Sequence, residues 1–591
     1  MEPIEGINRT PESQFAPAGD GWTPAAQWGP APTGSRRLRW GIAGAIVLCV
    51  VLVSTGAVYV LSGASGTRSL TASVAPKNSV AFLEIRTDLP GDQHGKLADF
   101  MSHFPGFKDR SQFDTALDEI LNRLTRSVSP SLSYTSAFKP WMEGEVSIAV
   151  TSLSGLEGAA MPSISGTTDP GVVAIVALKD RAAAEKWVSS ELATEHVSTT
   201  ASGYDGATLV SFESGDNTDA YAFTDQDLLM GTIDGVKAAI DSKSKGSLAD
   251  NPSYQAAMAS LAGDSLARLY LDTRAIVMAD LDSYDQTLQS LGSLDATGAV
   301  ASAAATLPIS ADSIPDWTVG SLRADGDRLT LNILEPGTGT AAASGGNHES
   351  RLAGSLPAST VLETEAHDLG KNLTTELAAL DKDMSTDSTW QQVQSALSSI
   401  GGLDWIGDAS VVMTKNGSAF DGGVVIETTD ADTASAKVGL LRVGLSLGGG
   451  SLGVTTRTES YNGTDITIVH ADSNPISSVG SIDLAIATKG NLIVAGADDS
   501  FVKSVLDTNP FNSLATQADY RSVMALVGPS NSGAFYWNVP ALEDQMGEAL
   551  FGVSASQWAS DYKPYFDHLG GVGSTVVNGN TVILRLIVTA K

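Results

Sequence analysis

The sequence lacks two features: cysteines that could form disulfide bonds and an excess of positive charge that would attract polyanions. It contains one cysteine, Cys49, so no disulfide can form within it. Its 36 lysines and arginines are outnumbered by 67 aspartates and glutamates, and the formal net charge is −31. A field of this sign repels nucleic acid and anionic lipid headgroups and favours cations or basic partners. We therefore expect no nucleic-acid partner.

Long apolar runs are also scarce, and one segment, Trp40–Leu61, has the length and composition of a membrane-spanning helix. Arg36, Arg37 and Arg39 precede it, whereas only Arg68 follows closely. This bias places the N-terminus in the cytoplasm and the rest of the chain outside. We predict a single-pass anchor in the cell membrane over residues 36–62, followed by an extracytoplasmic domain.

A cleaved signal peptide is the alternative interpretation of the same segment. Its apolar region would be shorter and nearer the start of the chain than Trp40–Leu61. Residues 1–35 are rich in proline and show no aliphatic periodicity, so they cannot bury enough apolar surface to offset chain entropy. We predict a disordered cytoplasmic tail there.

Segments that follow residue 70 recur in the same order after residue 350. WMEGEVSIAV at 141–150 matches WIGDASVVMT at 405–414, and SLADNPSYQAAMASL at 247–261 matches SLATQADYRSVMALV at 513–527. A chain of 591 residues also exceeds what one hydrophobic core usually supports. The sequence therefore predicts an internally duplicated ectodomain. Its parts would be repeat 1 over 70–334, a linker over 335–350 and repeat 2 over 351–591.

One of the recurring segments contains a tight turn. SGYDGATLVSF at 202–212 corresponds to SYNGTDITIV at 460–469. Asp-Gly and Asn-Gly pairs accept the positive φ angles that a two-residue hairpin requires, so both segments predict hairpins. Tyr204 and Tyr461 precede these turns and are our candidate binding residues, the alternative being that they serve the turn alone.

Many short hairpins and few crossover helices indicate the fold class. We predict an α+β protein in which each half is a mainly antiparallel sheet with helices on one face.

Motifs of catalysis or cofactor binding find little support. GLSLG at 444–448 matches a nucleophile motif, but it follows a helical stretch and runs into a glycine-rich loop rather than forming a strand-to-helix elbow. The seven histidines show no i, i+4 pair, and acidic turns such as the one with Asp225 and Asp227 lack the spacing of a calcium loop. No phosphate-binding loop is found. We predict no catalytic, cofactor-binding or metal-ligating residues and no enzymatic activity.

Three short motifs carry a resemblance to a known family: the strand opening at Pro76–Val80, HFPGF at His103–Phe107, and the helix start NPSYQ at Asn251–Gln255. With the N-terminal anchor, they make the chain similar to a bacterial domain-of-unknown-function family of membrane-anchored extracytoplasmic proteins. The resemblance implies no established activity.

Three functions fit these observations. The one we favour is a non-catalytic binding or scaffold module of the bacterial cell envelope that contacts another protein or the wall. A carrier of a lipid or other apolar ligand is the alternative, motivated by the alanine-rich stretch Thr297–Leu307. A hydrolase with an unrecognised site is the third.

Overall fold

The computed structural model describes ten stretches of the chain. The predicted tail and anchor lie outside them, and no helix within them is long and apolar enough to cross a membrane. The stretches are 69–152, 171–214, 217–279, 314–337, 346–384, 388–399, 401–448, 454–471, 482–541 and 554–591.

Twenty strands form one sheet, and every pairing between described strands is antiparallel. The first ten are β1 Ala81–Arg86, β2 Met142–Val150, β3 Val172–Leu178, β4 Thr199–Tyr204, β5 Ala207–Ser214, β6 Asn217–Phe223, β7 Asp227–Thr232, β8 Ala267–Leu271, β9 Thr318–Ala324 and β10 Arg328–Pro336. The next ten are β11 Thr360–Ala366, β12 Ile406–Asn416, β13 Ala419–Thr428, β14 Val454–Tyr461, β15 Thr464–Ala471, β16 Ile482–Lys489, β17 Leu492–Gly496, β18 Gly533–Asn538, β19 Leu569–Val577 and β20 Thr581–Ala590.

The pairings place both sets of ten strands in the same spatial order. The first half runs β4-β5-β6-β7-β3-β2-β1-β8-β9-β10. The second half runs β14-β15-β16-β17-β13-β12-β11-β18-β19-β20. The β10–β20 pairing joins the two halves. The sheet is therefore continuous, with β4 and β14 as its outer strands.

Helices connect many of these strands. Those of the first half are α1 Gln93–Met101, α2 Phe113–Val128, α3 Tyr134–Ala137, α4 Arg181–Thr194, α5 Ile233–Lys245 and α6 Pro252–Ser260. Those of the second half are α7 Leu369–Met384, α8 Ser388–Ser399, α9 Ala431–Gly448, α10 Asp499–Asp507, α11 Ala518–Val527, α12 Ala555–Gln557 and α13 Lys563–Phe566. The antiparallel α+β class predicted from the sequence is confirmed.

Helices pack on both faces of the sheet, so the predicted one-sided arrangement is wrong. On β16, Ala485 and Ala487 belong to the core that contains Phe501 of α10, whereas Ile486 packs with Val438 of α9. Successive strand residues point to opposite faces, so α9 and α10 cover opposite sides. The physical reason lies in strands such as β3, whose residues are buried or half-buried throughout and need cover on both sides.

The duplicated turn forms the hairpins predicted from the sequence. Asp205 and Gly206 have φ angles of 43° and 80°, and Asn462 and Gly463 have φ angles of 50° and 81°. Two consecutive positive φ values are typical of the turn whose twist matches a two-stranded ribbon. The turns connect β4 to β5 and β14 to β15.

Packing between β13 and α10 gives a test of the second core. A Cβ added at Gly423 would collide with the carbonyl oxygen of Ala495 and the ring of Phe501, whereas at neighbouring Gly422 the nearest atom would be Val412 O at 3.5 Å. We expect Gly423→Ala to lower the free energy of unfolding by about 1–3 kcal/mol, because the core must shift to admit the methyl group. Urea unfolding of Gly422→Ala is the matched control, and equal midpoints for the two variants would contradict this packing.

Candidate functional site

A cluster of buried polar side chains lies in the second half, at one end of β11 and β12. Glu365 is in β11 and His367 follows that strand, Asp408 is in β12, and His348 comes from the segment before β11. We call these four residues the His348 cluster. The side chains of Glu365, His367 and Asp408 are fully buried, and that of His348 is 21% exposed. Ligand atoms of His348, His367 and Asp408 lie within 4.8 Å of one another.

Strand geometry explains why these residues converge. Alternate residues of a strand share a face, so Glu365 and His367 point to the same side of the sheet. Ala366 pairs with Ala409 of β12, which places Asp408 beside His367. His348 reaches the same place because its N–H donates to Asn531 O at 3.0 Å and its carbonyl accepts from Asn531 N at 3.1 Å.

Backbone carbonyls orient both imidazoles. His348 Nδ1 lies 2.8 Å from Glu349 O, and His367 Nδ1 lies 2.7 Å from Asn531 O. A carbonyl oxygen only accepts hydrogen bonds, so Nδ1 carries the proton and, in a neutral ring, Nε2 keeps a lone pair. Neither Nε2 atom has a hydrogen-bond partner. The rings stack, with centroids 4.2 Å apart.

The carboxylates of the cluster are also incompletely bonded. Asp408 Oδ1 accepts from the N–H of Asp368 at 3.0 Å and lies 3.4 Å from His348 Nε2, while Asp408 Oδ2 has no hydrogen-bond partner. Both oxygens of Glu365 lack one, although Oε1 lies 3.5 Å from His367 Nε2. Buried polar atoms without partners are rare because each costs about 1–3 kcal/mol, so this concentration calls for an explanation.

Burial and mutual repulsion shift the pKa values of this region. Burial raises the pKa of the Asp408 carboxyl, although His367, His348 and Arg351 oppose that shift. Burial alone would lower the pKa of the His367 imidazole, but the Glu365 carboxylate raises it above its ordinary value. Burial, together with Glu365, raises the pKa of Glu363 well above its usual range. In this region burial therefore favours the uncharged forms of the Glu363 and Asp408 carboxyl groups.

The first half also buries carboxylates at one end of its central strands, but there arginines accompany them. We call Glu84, Arg86, Glu145 and Arg268 the Arg86 cluster. Arg86 Nη1 lies 3.3 Å from Glu145 Oε2 and 3.7 Å from Glu84 Oε1, and Arg268 Nη1 also lies 3.7 Å from Glu84 Oε1. Glu145 additionally accepts hydrogen bonds from Ser69 Oγ at 2.8 Å and Thr71 Oγ1 at 2.7 Å. Two guanidinium groups thus face the two buried carboxylates. Arg86 also forms a bidentate pair with Asp88, and neither oxygen of Glu84 has a hydrogen-bond partner.

The strand register relates the two clusters position by position. Arg86 N donates to Leu266 O, just before β8, and His367 N donates to Ser532 O, just before β18. Glu84 lies opposite Arg268, and Glu365 lies opposite Ala534. His367 therefore occupies the place of Arg86, and Ala534 that of Arg268. The second cluster has neither arginine at these places.

One arginine does approach the His348 cluster from its exposed side. Arg351 Nη1 lies 3.6 Å from both Asp408 Oδ1 and Asp368 Oδ1, and 3.3 Å from Glu427 Oε2. Its side chain is 46% exposed. Arg351 thus divides its electrostatic interaction among Asp408, Asp368 and Glu427 at the exposed side of the cluster.

The residues nominated from the sequence, Tyr204 and Tyr461, have matching structural contacts. The hydroxyl of Tyr204 lies 3.2 Å from each carboxylate oxygen of Asp241 in α5, and that of Tyr461 donates to Asp507 of α10 at 2.7 Å. Lys237 and Lys503 lie over the respective rings. These contacts attach each hairpin to a helix, while a binding role for the tyrosines stays a prediction.

Three other features noted in the sequence are the GLSLG motif, the alanine-rich stretch and His94. Gly444–Gly448 forms the end of α9, so Ser446 does not sit on a strand-to-helix elbow, and residues 449–453 of the predicted glycine-rich loop lie outside the described residues. The stretch Thr297–Leu307 lies outside the described residues. His94 pairs with Asp114 at 2.7 Å on the surface.

Sequence reasoning missed the His348 cluster because its members are far apart along the chain. The histidines follow no short ligand spacing, and Asp408 lies 41 positions after His367. A signal was nevertheless present: within the two matching strand segments, Glu-Ile-Arg at 84–86 corresponds to Glu-Ala-His at 365–367. Loss of a basic residue beside retained acids would have indicated a changed charge balance.

These features define an α+β protein with a long antiparallel sheet and a buried charged cluster in each half. The chain belongs to the family described as "Protein of unknown function (DUF3352)", whose profile matches residues 42–442. The domain-of-unknown-function family predicted from the sequence is thus confirmed, whereas membrane anchoring stays a prediction.

Other comparisons add little. No curated protein matches the chain. A solved structure named "Structure of crystal form III of TP0453" is 8% identical, with 46% of this chain and 80% of that chain covered and a TM-score of 0.20. A likeness this weak carries no argument about fold or function.

Asp227 lies near the Arg86 cluster, and its burial leads us to expect that the stability of the folded protein depends on pH. It is 5% exposed and accepts a hydrogen bond from Thr224 Oγ1 at 3.0 Å. Burial raises its pKa from 3.8 to about 6, a shift to which Glu145 adds. Because the folded pKa is the higher one, the stabilisation is fully present below pH 3.8 and is lost as the pH rises to about 6.

We therefore expect Asp227→Asn to gain stability relative to the wild type by about 3 kcal/mol between pH 4 and pH 7. Urea unfolding at several pH values measures this difference. Asp225→Asn is the control, because the Asp225 side chain is 97% exposed and should show no such pH dependence. A pH-independent difference between Asp227→Asn and the wild type would contradict the burial effect.

Proposed function

We propose that this protein is a non-catalytic binding or scaffold module of the cell envelope. In this proposal Trp40–Leu61 anchors the chain in the membrane, the N-terminus is cytoplasmic, and residues 69–591 lie outside the cell. The charge bias around the apolar segment supports the orientation.

We also propose that the ectodomain arose by internal duplication. The common strand order supports this, and so do small matching contacts. Ser69 Oγ accepts from Ala72 N, and Ser350 Oγ accepts from Ala353 N. Pro76 bridges to Ser247, and Pro357 bridges to Ser513. Each of these contacts depends on local turns as well as on strand topology, so their agreement supports a common origin of the two halves.

The observation that carries the scaffold proposal is the exposure of both outer strands of one continuous sheet. At about 4.8 Å between neighbouring strands, twenty strands extend over about 90 Å when measured along the sheet. Five of the six residues of β4 are exposed, as are Thr455–Thr458 of β14. No described strand pairs with the outer edge of either one. Such edges bind extended segments of other proteins by adding a strand.

The cleft beside β5 and α4 gives a lipid carrier less support. It has a volume of about 830 Å³ and is open to solvent, and its walls include Arg181, Glu185 and Asp225. Sites for apolar ligands are lined mainly by apolar side chains. A protein partner at the sheet edges therefore fits the described surface better.

Site-specific photo-crosslinking in the native envelope tests the partner. A crosslinking amino acid at Thr200 in β4 or Thr456 in β14 should capture one discrete protein, because these positions lie on the exposed edges. The same group at Asp327, an exposed turn residue next to β10, is the control. Equal capture at all three positions, or none at the edges, would argue against binding at the sheet edges.

Cysteine labelling tests the location. Asp327→Cys should react with a membrane-impermeant maleimide in intact cells, whereas Ser13→Cys in the predicted tail should react only after lysis. The native Cys49 lies within the predicted membrane segment, so its replacement by serine removes the background. Labelling of Ser13→Cys in intact cells would contradict the orientation.

A further inference from the structure

We propose that the His348 cluster binds one divalent transition-metal ion of the Zn²⁺ type through His348 Nε2, His367 Nε2 and a carboxylate oxygen of Asp408. The three ligand atoms lie within 4.8 Å of one another. The binding site goes beyond the scaffold function and does not depend on it.

The distances suit a tetrahedral ion. With metal–ligand bonds of about 2.0–2.2 Å, neighbouring ligand atoms are separated by about 3.3–3.6 Å. His348 Nε2 and Asp408 Oδ1 are already 3.4 Å apart. The rings of His348 and His367 stack at an interplanar angle of 13°, so binding requires the partly exposed His348 ring to turn until both Nε2 lone pairs point at the ion.

The hydrogen bonds prepare both histidines for this role. Each ring directs Nδ1 at a backbone carbonyl, so in a neutral ring the lone pair is on Nε2, the atom that would bind the metal. His367 Nε2 and Asp408 Oδ2 are buried without a hydrogen-bond partner. Without an ion, these atoms lose their hydrogen bonds to water on folding and form no hydrogen bond within the protein. An ion would satisfy them.

Charge balance provides an independent argument. In the Arg86 cluster, two guanidinium groups accompany the buried Glu84 and Glu145. In the His348 cluster, Glu365 and Asp408 are equally buried, but His367 and Ala534 occupy the places of the arginines. A divalent ion restores the positive charge that the two arginines supply in the first half.

The ligand types select the class of metal. Two imidazole nitrogens and one carboxylate suit Zn²⁺ and its neighbours better than Ca²⁺ or Mg²⁺, which prefer oxygen ligands. Three protein ligands leave a fourth position for water, and Glu365 Oε1 lies 3.5 Å from the same Nε2 atom of His367, next to the proposed ion. The ion would also tie the segment around His348 to β11 and β12.

The test uses the full-length protein in detergent, with an affinity tag that contains no histidine. The protein is stripped with EDTA, equilibrated with Zn²⁺ in the presence of excess Mg²⁺, and assayed by elemental mass spectrometry and thermal unfolding. Excess Mg²⁺ occupies the acidic surface. We expect about one tightly bound zinc per chain and an unfolding temperature that rises with Zn²⁺. Co²⁺ in the same site should show the visible absorption of a tetrahedral complex.

The variants separate the cluster from the surface. His348→Ala and His367→Ala should each weaken zinc binding by more than about 100-fold. His94→Ala, which removes a histidine paired with Asp114 on the surface, should bind like the wild type. If His367→Ala does not fold, His348→Ala carries the test because His348 lies in a partly exposed segment.

A double variant tests the charge argument directly. His367→Arg combined with Ala534→Arg rebuilds the pattern of the Arg86 cluster, so this protein should fold, bind no zinc, and unfold at the same temperature with or without EDTA. Absence of stoichiometric zinc in the wild type, or retention of it in His348→Ala and in the double variant, would overturn the proposal. In the first case the cluster is a histidine–carboxylate network without a metal.

Discussion

The pairing of β10 with β20 is the interaction on which the architecture depends. The two strands align from Arg328 opposite Thr589 to Pro336 opposite Thr581, and no other described strands connect the two ten-stranded halves within the sheet. Apolar pairs such as Leu331 with Leu586 and Ile333 with Leu584 lie along this ladder. Asn332 also accepts a hydrogen bond from Arg585 at 3.0 Å. Because these contacts make the sheet continuous, the two exposed outer strands belong to the same sheet.

Within that frame, the two halves handle buried charge differently. The central strands of both halves bury carboxylates at corresponding places, a costly arrangement unless positive groups accompany them. Arg86 and Arg268 do so in the first half. In the second half, the place of Arg86 is taken by an imidazole that can be neutral or cationic and can coordinate a metal. The two halves thus share a strand arrangement, but at one equivalent position the first half has Arg86 and the second half has His367.

Much of the local structure could be predicted from the sequence, because it depends on short-range rules. The Asp205-Gly206 and Asn462-Gly463 turns followed from their tolerance of positive φ. The placement of helices on both faces did not follow, since hairpin patterns do not reveal what covers the far side of a strand such as β3. The extent of α9 was missed because Gly444 and Gly448 read as loop residues.

The meeting of the His348 cluster residues in space could not be predicted from the sequence for a different reason. His348, His367 and Asp408 meet through the Asn531 bridge and the β11–β12 register, both of which are long-range.

The position of β20 has a consequence for how the protein is made. It is the last of the twenty strands along the chain, yet it lies in the middle of the sheet, between β10 and β19. While the chain is being synthesised, the β10 edge of the first half stays unpaired until more than 240 further residues have followed. An open edge of this kind can pair with other chains. Assembly of the two halves is therefore a late event, and the first half must resist intermolecular pairing during that interval or be shielded by a chaperone.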